Sequence, residues 1–427
     1  MNATEAGIGK SAAQEAWTGA RCRACDTALR HTFVDLGMSP LCESFLPAEK
    51  LNQMEPFFPL HVYVCETCFL VQLEEYVSPA DIFEEYAYFS SFSDSWVAHA
   101  KTYVDAVTQR FSLGQNSKVV EIASNDGYLL QHFVARGVPC LGVEPAANVA
   151  EKAKERGIPT IVRFFGDDSA PDIAAEHGHA DLIVGNNVLA HVPDLKGFVK
   201  GLKILLKPDG VITMEFPHLL RLMQENQFDT IYHEHFSYLS ILAVRRVFSD
   251  HGLTLFDVEE LPSHGGSLRI FARHAEDEAK AVTDRVDRLL QMELDAKLDD
   301  LAAYTAFEEQ VKETKRAILD FLIDAKRAGK TIAGYGAPGK GNTLLNYCGI
   351  RDDFLDYVVD RNPYKHGKFT PGTHIPIFPP ERIGETKPDY VFILPWNLEK
   401  EITTQLAHIR DWGGKFVLPI PHVRVVD

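Results

Sequence analysis

The chain reads as an α/β protein in which a small cysteine-built module precedes two doubly wound sheets. Three observations carry that expectation. Cys22-x-x-Cys25 and Cys65-x-x-Cys68 place two paired knuckles near the start. Residues 118–145, KVVEIASNDGYLLQHFVARGVPCLGVEP, run strand, turn, helix, strand. Residues 331–360 repeat that alternation around GYGAPGKG. A length of 427 residues suits two or three domains. The expected division is a flexible tail over 1–20, a zinc-binding domain over 21–78, a central domain over 79–278 and a C-terminal domain over 279–427.

Composition excludes several function classes. The hydrophobic share of 45% and charged share of 24% are ordinary for a globular chain. A net charge of −17 leaves no cationic surplus for nucleic acid. No apolar run approaches the roughly 18 residues of a membrane span, so no membrane partner is expected. The first twenty residues carry Glu5, Lys10 and Glu15 and lack an apolar stretch, which points away from a signal peptide and toward the cytoplasm. In a reducing compartment the paired C-x-x-C motifs read as a four-thiolate zinc-ribbon site. Cys22, Cys25, Cys65 and Cys68 would close the shell of a Zn2+ ion, so the metal is structural. Cys42, Cys140 and Cys348 read as small core residues.

Taken in order, the knuckles enclose Leu36-Gly-Met-Ser-Pro40 and the extended HVYVC run. The aromatic segment Tyr86-Ala-Tyr88-Phe-Ser-Ser-Phe92 follows, either as core or as a lid, and then a helix over 95–111. Val119, Val120 and Ile122 make a short buried strand. After the turn Ser124–Asn125–Asp126–Gly127, Leu129, Leu130, Phe133 and Val134 mark a helix that Gly137 ends. A strand over 140–143 stops on Glu144–Pro145. Further strands over 160–164, 181–186 and 211–216 alternate with helices, the pattern of a parallel sheet covered on both faces. Residues 253–260 and 267–273 are joined by PSHGG, a hairpin that closes the sheet with an antiparallel edge strand. That arrangement predicts a class I methyltransferase Rossmann-like domain. Residues 281–329 are helical, with one helix over 304–328 carrying apolar residues at Phe307, Val311, Ala317, Ile318, Phe321 and Leu322 and capped by Gly329. The C-terminal Rossmann-like domain is built from a strand over 331–337, a helix from Thr343, a strand over 355–359 ending on Asp360, and a strand over 390–394.

The first turn decides the cofactor. A dinucleotide turn reads G-x-G-x-x-G, so that backbone can approach a pyrophosphate. Here Ala123 and Asn125 stand in the first two places, and Gly127 falls one short of the third. Glu121 would repel a phosphate and suits an ammonium. S-adenosylmethionine therefore fits better than NAD. Ligands of open α/β sheets lie beyond the carboxyl ends of the strands. This assigns Glu121, Ser124, Asn125, Asp126, Gly127, Glu144, Pro145, Phe165, Asn186 and Asn187 to the cofactor, with Glu144 on the ribose. After Phe216 the chain inserts a segment containing Tyr232-His-Glu-His235. It is not H-E-x-x-H, so it does not set two imidazoles one turn apart for zinc. It offers either a hydrogen-bonded tie for the insertion or a base, an acid and a phenol for one substrate. In GYGAPGKG, Pro338 and Lys340 crowd a dinucleotide, and Lys340 suits a nucleotide-sugar phosphate.

Together the paired C-x-x-C, YAYFSSFS, EIASNDG, NNVLAHVPD, EFPH followed by YHEHFSYLS, SHGGSLR, and GYGAPGKGN followed by DRNPYKHGKFTPGTHIPI are specific. From Arg21 onward the chain resembles the three-domain sugar C-methyltransferases of deoxysugar biosynthesis. The resemblance implies a structural zinc, S-adenosylmethionine in the central domain, and a C-terminal domain without dinucleotide binding. It implies a sugar nucleotide, dTDP-linked, held between the last two domains, with His218, Ser263, Arg269, Lys340, Asn342 and Asp360 as substrate-binding residues. The implied reaction methylates a carbon, C3 with C5 left open, beside the ketone of a 4-keto-6-deoxysugar through an enolate. His235 would be the base, Glu234 would orient it, His191 and Tyr232 would donate to the enolate oxygen, and Tyr86 or Tyr88 would face the sulfonium or the sugar. O- or N-methylation on the same scaffold is the alternative. A monomer or small homo-oligomer is expected.

Overall fold

The computed structural model describes residues 19–78 and 89–427. Most of the tail expected over 1–20, and Tyr86 and Tyr88, lie outside the described residues. The N-terminal module is an antiparallel sheet of β1 (His31–Ser39), β2 (Phe58–Val64) and β3 (Val71–Leu73). Its inward side chains include Phe33, Leu60, Val62, Val64 and Val71, all fully buried or nearly so.

Helix α1 (Asp94–Arg110) opens the central domain, with the Ser93 hydroxyl accepting from the Trp96 amide at 3.3 Å. It buries Ala100, Tyr103, Val104 and Val107, the i, i+3, i+4, i+7 stripe of a helix lying on a sheet. The chain then runs through β4 (Val119–Ile122), α2 (Leu130–Val134), β5 (Cys140–Glu144), α3 (Ala147–Glu155), β6 (Thr160–Val162), α4 (Ala170–His177), β7 (Ala180–Asn186), α5 (Leu195–Leu205) and β8 (Leu206–Pro217). After α6 (Leu219–Gln224) comes β9 (Ser237–Tyr238), then α7 (Ile241–Asp250), β10 (Leu253–Leu261) and β11 (Ser267–His274). The seven-stranded sheet has the order β10-β11-β8-β7-β4-β5-β6. Strand β11 is antiparallel to both neighbours, with Ser267 opposite Pro217 and Leu261 opposite Ser267. The antiparallel strand expected at the edge thus sits one place inside it, and β10 forms the edge. The order reverses about β4, which opens a crevice at the carboxyl ends of β4, β5 and β7. In the five-residue α2, Leu130 and Phe133 are buried while Val134 is 42% exposed.

The insertion after β8 does not hang free. Its strand β9 pairs with β3, Ser237 opposite Gln72 and Tyr238 opposite Val71. The N-terminal sheet therefore has four strands, the last donated by the central domain.

The helical region holds α8 (Asp284–Asp295), α9 (Leu301–Thr305) and α10 (Phe307–Arg327). The single helix expected over 304–328 breaks at Ala306. Helix α10 buries Phe307, Val311, Thr314, Ile318, Leu322 and Ala325. That spacing holds a 3.6-residue period, and Ala317, one place off it, is exposed. Gly329 caps the helix at φ +71°, with the Lys330 amide donating to Ala325 O at 3.0 Å. The C-terminal domain adds β12 (Ile332–Tyr335), α11 (Gly339–Cys348), β13 (Tyr357–Val359), β14 (Ile377–Phe378), β15 (Tyr390–Ile393), β16 (Lys415–Leu418) and β17 (Arg424–Val426), in the order β14-β13-β12-β15-β16-β17. Helix α11 begins at Gly339, before the expected Thr343, because Pro338 at φ −77° serves as its N-cap. Lys340 thereby falls in its first turn. One core runs through both terminal domains, where Phe33 of β1 stacks on Phe307 of α10 with centroids 4.7 Å apart. Among the described residues no helix is long and apolar enough to cross a membrane.

Candidate functional site

The metal centre follows from four side chains on two knuckles. The sulfurs of Cys22, Cys25, Cys65 and Cys68 all lie within 4.8 Å of one another. Cys22 and Cys68 are 3.4 Å apart, and Cys25 and Cys65 3.5 Å. A tetrahedron with Zn–S bonds of about 2.3 Å needs such contacts. The Thr67 amide donates to Cys65 Sγ at 3.4 Å, and Gln72 Nε2 to Cys22 Sγ at 3.2 Å, so the thiolates are oriented by their surroundings. Four protein ligands leave zinc no open position.

The cofactor crevice begins at the turn after β4, where Ala123, Asn125 and Gly127 take φ of +54°, +50° and +77°. A Cβ on Gly127 would lie 2.1 Å from Ile158 Cδ1, so the glycine serves packing against the neighbouring segment rather than ligand approach. At the end of β5 both oxygens of Glu144 accept backbone amides, from Asn125 at 2.8 Å and Ala146 at 2.9 Å. The carboxylate is thus fixed in place, and its remaining lone pairs suit ribose hydroxyls. Glu121 is buried and Oε2 has no hydrogen-bond partner among the described residues; Ser124 Oγ and Asn187 Oδ1 share that condition. Burial, then the nearby Glu144 and Asp126 charges, push the Glu121 carboxyl well above the usual range. A buried acid among acids asks for a cationic ligand, and orphaned acceptors ask for donors. The ammonium and hydroxyls of S-adenosylmethionine fit this set.

Two of the turn residues also bond protein, Asp126 through Oδ2 while its buried Oδ1 has no hydrogen-bond partner among the described residues. Asn125 Oδ1 accepts the Ser90 amide at 2.8 Å. Asp126 accepts from the Ser91 hydroxyl and pairs with Arg156 at 3.1 Å. They tie the end of the aromatic segment over the cofactor turn. Pro145 follows Glu144 directly. Phe165 is half-buried, edge-on to Phe198 at 5.4 Å, and Asn186 Nδ2 lies 3.5 Å from the Tyr128 hydroxyl.

A buried charge network lies at the end of β8. Glu215 accepts from Arg269 Nη2 at 2.6 Å, His99 Nε2 at 2.9 Å and Ser263 Oγ at 2.9 Å. Arg269 also pairs with Glu259 at 3.1 Å and lies 4.5 Å over the Tyr103 ring. Burial alone would raise the Glu215 carboxyl, but His99, Arg269 and Ser263 outweigh it and hold it at about 2.

The inserted loop is held on three sides. The Phe236 amide donates to Ala190 O at 2.8 Å, Thr343 Oγ1 to Ile231 O at 3.0 Å, and Trp396 Nε1 to Asp229 Oδ2 at 2.7 Å. His235 packs against Tyr232 and His191 with centroids 4.0 and 4.7 Å apart. Its Nδ1 lies 2.8 Å from Thr230 O, so Nδ1 carries the proton and Nε2 the lone pair. The orienting group expected at Glu234 is therefore a backbone carbonyl. Glu234 turns instead toward Cys42, whose Sγ is 3.8 Å from Oε1. Burial and neighbouring His191 hold His235 well below its ordinary value, and burial takes His191 to about 4 against a backbone hydrogen bond to Glu234. Both imidazoles are neutral at neutral pH. His233 is buried against Pro59 O at 3.2 Å, a tie to the zinc domain.

The expected substrate residues divide. Lys340 is half-buried, 2.8 Å from Asn397 Oδ1 and 4.6 Å over the Trp396 ring. His218 is sealed away, 2.7 Å from Glu293 Oε1, whose carboxylate also accepts the Ile241 and Leu242 amides at the start of α7. Asn342 Nδ2 donates to Cys42 O at 2.6 Å, joining two domains. Asp360 accepts the Ala337 and Asn362 amides at 2.7 and 2.8 Å, as Glu144 does in the central domain. Ser263 and Arg269 belong to the Glu215 network. Sequence reasoning missed Glu215 and His99; Glu215 was visible as the acid of EFPH, while His99 lay unmarked on a helix.

An open sheet with an antiparallel penultimate strand, an acid at the end of each of its first two strands and a separate four-cysteine zinc domain define a class I S-adenosylmethionine-dependent methyltransferase. Family models match a zinc binding domain over residues 22–83, a methyltransferase domain over 96–258 and a C-methyltransferase C-terminal domain over 262–421. The chain is 36% identical over 406 residues to the C-methyltransferase NovU of Streptomyces niveus, covering 95% of this chain and 96% of that protein. It belongs to that C-methyltransferase family. Among solved structures it is similar to the PH0226 protein of Pyrococcus horikoshii OT3, with TM-score 0.37 and 16% identity over 47% of this chain and 99% of that one. It is also similar to magnesium protoporphyrin IX methyltransferase of Synechocystis PCC 6803, with TM-score 0.31 and 14% identity over 42% and 81%.

Proposed function

We propose that the chain methylates C3 of a dTDP-linked 4-keto-6-deoxysugar, with His235 as the base. The observation that carries the reading is the Nε2 lone pair of His235, its tautomer set by the Thr230 carbonyl and its ring flanked by His191 and Tyr232. A ketone acidifies the neighbouring C–H, and a neutral imidazole can take that proton as an enolate forms. Tyr232 and His191 stand beside it as donors toward the developing oxygen charge. S-adenosylmethionine supplies an electrophilic methyl on a sulfonium, held at Glu121, Ser124, Glu144 and Asn187. Lys340, in the first turn of α11, suits a phosphate of the sugar nucleotide. Family membership beside NovU supports carbon as the acceptor atom.

Exchange of the sugar's α-proton tests the base without methyl transfer. In deuterated water, with S-adenosylhomocysteine in the cofactor crevice, wild-type protein exchanges the proton next to the ketone and His235→Asn does not. In complete assays His235→Asn lowers kcat by about 10²–10⁴-fold while both ligands still bind. Equal turnover in the two proteins refutes the assignment. Mass and NMR analysis of products from a panel of 4-keto sugar nucleotides separates C3 from C5 methylation and from transfer to oxygen or nitrogen.

A further inference from the structure

One indole ring joins three elements around the cleft. Trp396 lies just beyond β15, and its Nε1 donates to Asp229 Oδ2 at 2.7 Å. Asp229 belongs to the inserted loop and directly precedes Thr230, whose carbonyl sets His235. Over the face of the same ring stands Lys340 Nζ, 4.6 Å from the centroid, and the ammonium donates to Asn397 Oδ1 at 2.8 Å. The ring's outer edge meets the SHGG turn: a Cβ on Gly265, at φ +89°, would come within 2.7 Å of Trp396 Cη2. Gln227 Nε2, two residues before Asp229, holds that turn through Gly265 O at 2.7 Å. Asp229 and Trp396 are buried, whereas Lys340 keeps accessible surface. Asp229 Oδ1 is buried without a hydrogen-bond partner among the described residues, so the indole N–H is the side-chain donor that answers this carboxylate.

A buried carboxylate is costly unless a donor or a cation answers its charge. Here the donor is the N–H edge of a ring whose face carries a cation. An anion on the N–H pushes electron density into the ring, and a cation over the face is held by that density. The carboxylate thus reaches the ammonium through the indole. The hydrogen-bond partner of Lys340 is an amide, so its charge stays available to a ligand. We propose that Asp229 and Trp396 are positioning residues for the sugar nucleotide: together they fix the Lys340 ammonium at the cleft, where it meets a phosphate. This rests on the reading of Lys340 as phosphate-binding. The electrostatics agree. Burial lifts the Asp229 carboxyl to about 6, and Lys340 and then the indole draw it back, so above neutrality it is ionised. Burial lowers Lys340, and the Asp229 charge holds it up.

Calorimetry of dTDP binding to full-length zinc-loaded protein, above neutral pH, tests this in a double-mutant cycle. Lys340→Met weakens dTDP by about 10–100-fold, the range of a charged hydrogen bond. Asp229→Asn keeps the shape and an acceptor for the indole N–H but removes the charge, and weakens dTDP by about 2–10-fold. In the Lys340→Met background the same substitution changes affinity by less than about twofold, because its effect passes through the ammonium. In turnover Asp229→Asn raises KM for the sugar nucleotide and leaves kcat near wild type, since a phosphate contact is common to ground and transition states. A residue that merely ties the loop behaves otherwise. Equal losses in both backgrounds, or a fallen kcat from a displaced His235, overturn the proposal. Should Asp229→Asn not fold, Trp396→Phe, which keeps a ring under the ammonium and loses the N–H, takes its place in the same cycle with the same outcomes. If Lys340→Met binds dTDP as wild type does, the phosphate reading of Lys340 fails and the proposal falls with it. If Lys340→Met weakens binding while Asp229→Asn acts independently of it, the proposal alone falls.

Discussion

Replacing Glu215 by glutamine tests the buried charge network at the end of β8. The variant keeps the shape and the Ser263 hydrogen bond but removes the charge that Arg269 and His99 face. Glu259 is then the one carboxylate paired with Arg269, whose side chain is only 7% exposed. The magnitude follows from the carboxylate itself. Held at about 2 against an ordinary 4.5, it contributes about 3 kcal/mol of folding free energy at neutral pH. Its side chain is fully buried, so solvent screening does not reduce that figure. Removing one partner of a buried pair costs about 3–5 kcal/mol, which agrees. The sign in pH is determined. A depressed folded-state value stabilises above the unfolded value and loses that stabilisation as pH falls through the folded one. The wild-type advantage over Glu215→Gln, read by urea unfolding of zinc-loaded protein, is therefore full at pH 7 and shrinks between 4.5 and about 2. Equal stabilities at pH 7, or a gap that ignores pH across that window, would refute the reasoning.

The zinc site makes a second test: purified protein carries about one zinc per chain by metal analysis, and Cys65→Ser lowers soluble yield and melting temperature. Wild-type melting in metal-free protein would contradict it. For the cofactor, Glu144→Ala weakens S-adenosylmethionine binding by about 1.5–3 kcal/mol in calorimetry. Unchanged affinity would move the ribose contact to another residue.

What the sequence showed depended on whether the partner was local. The knuckle cysteines, the 118–145 unit and the Gly329 cap carry their meaning in adjacent residues, and they stand where the sequence put them. Nothing nearby announces Arg156 and Ser91 as the partners of Asp126 Oδ2, so the sequence showed the ligand reading of Asp126 and not this tie. His218 read as substrate-facing for the same reason; Glu293, on a helix 75 residues later, claims it. The tautomer of His235 is set by a main-chain oxygen, which no residue type signals, so the adjacent acid was assigned the role. The start of α11 was misplaced because a glycine-rich run resembles a loop, while Pro338 had already fixed the helical entry.

The strand that completes the zinc-domain sheet is residues 237–238, and the aromatic partner of Phe33 is residue 307. A chain emerging from the ribosome therefore has its metal ligands early and its sheet edge and apolar cover late. Between those moments β3 presents an unpaired edge and Phe33 lacks its stacking partner, the combination that favours association between nascent chains. Early zinc capture is what closes the two knuckles during that interval. A fragment cut at residue 78 would keep the metal site and lose the edge strand, so arrested or truncated chains are expected to self-associate although their zinc ligands are intact.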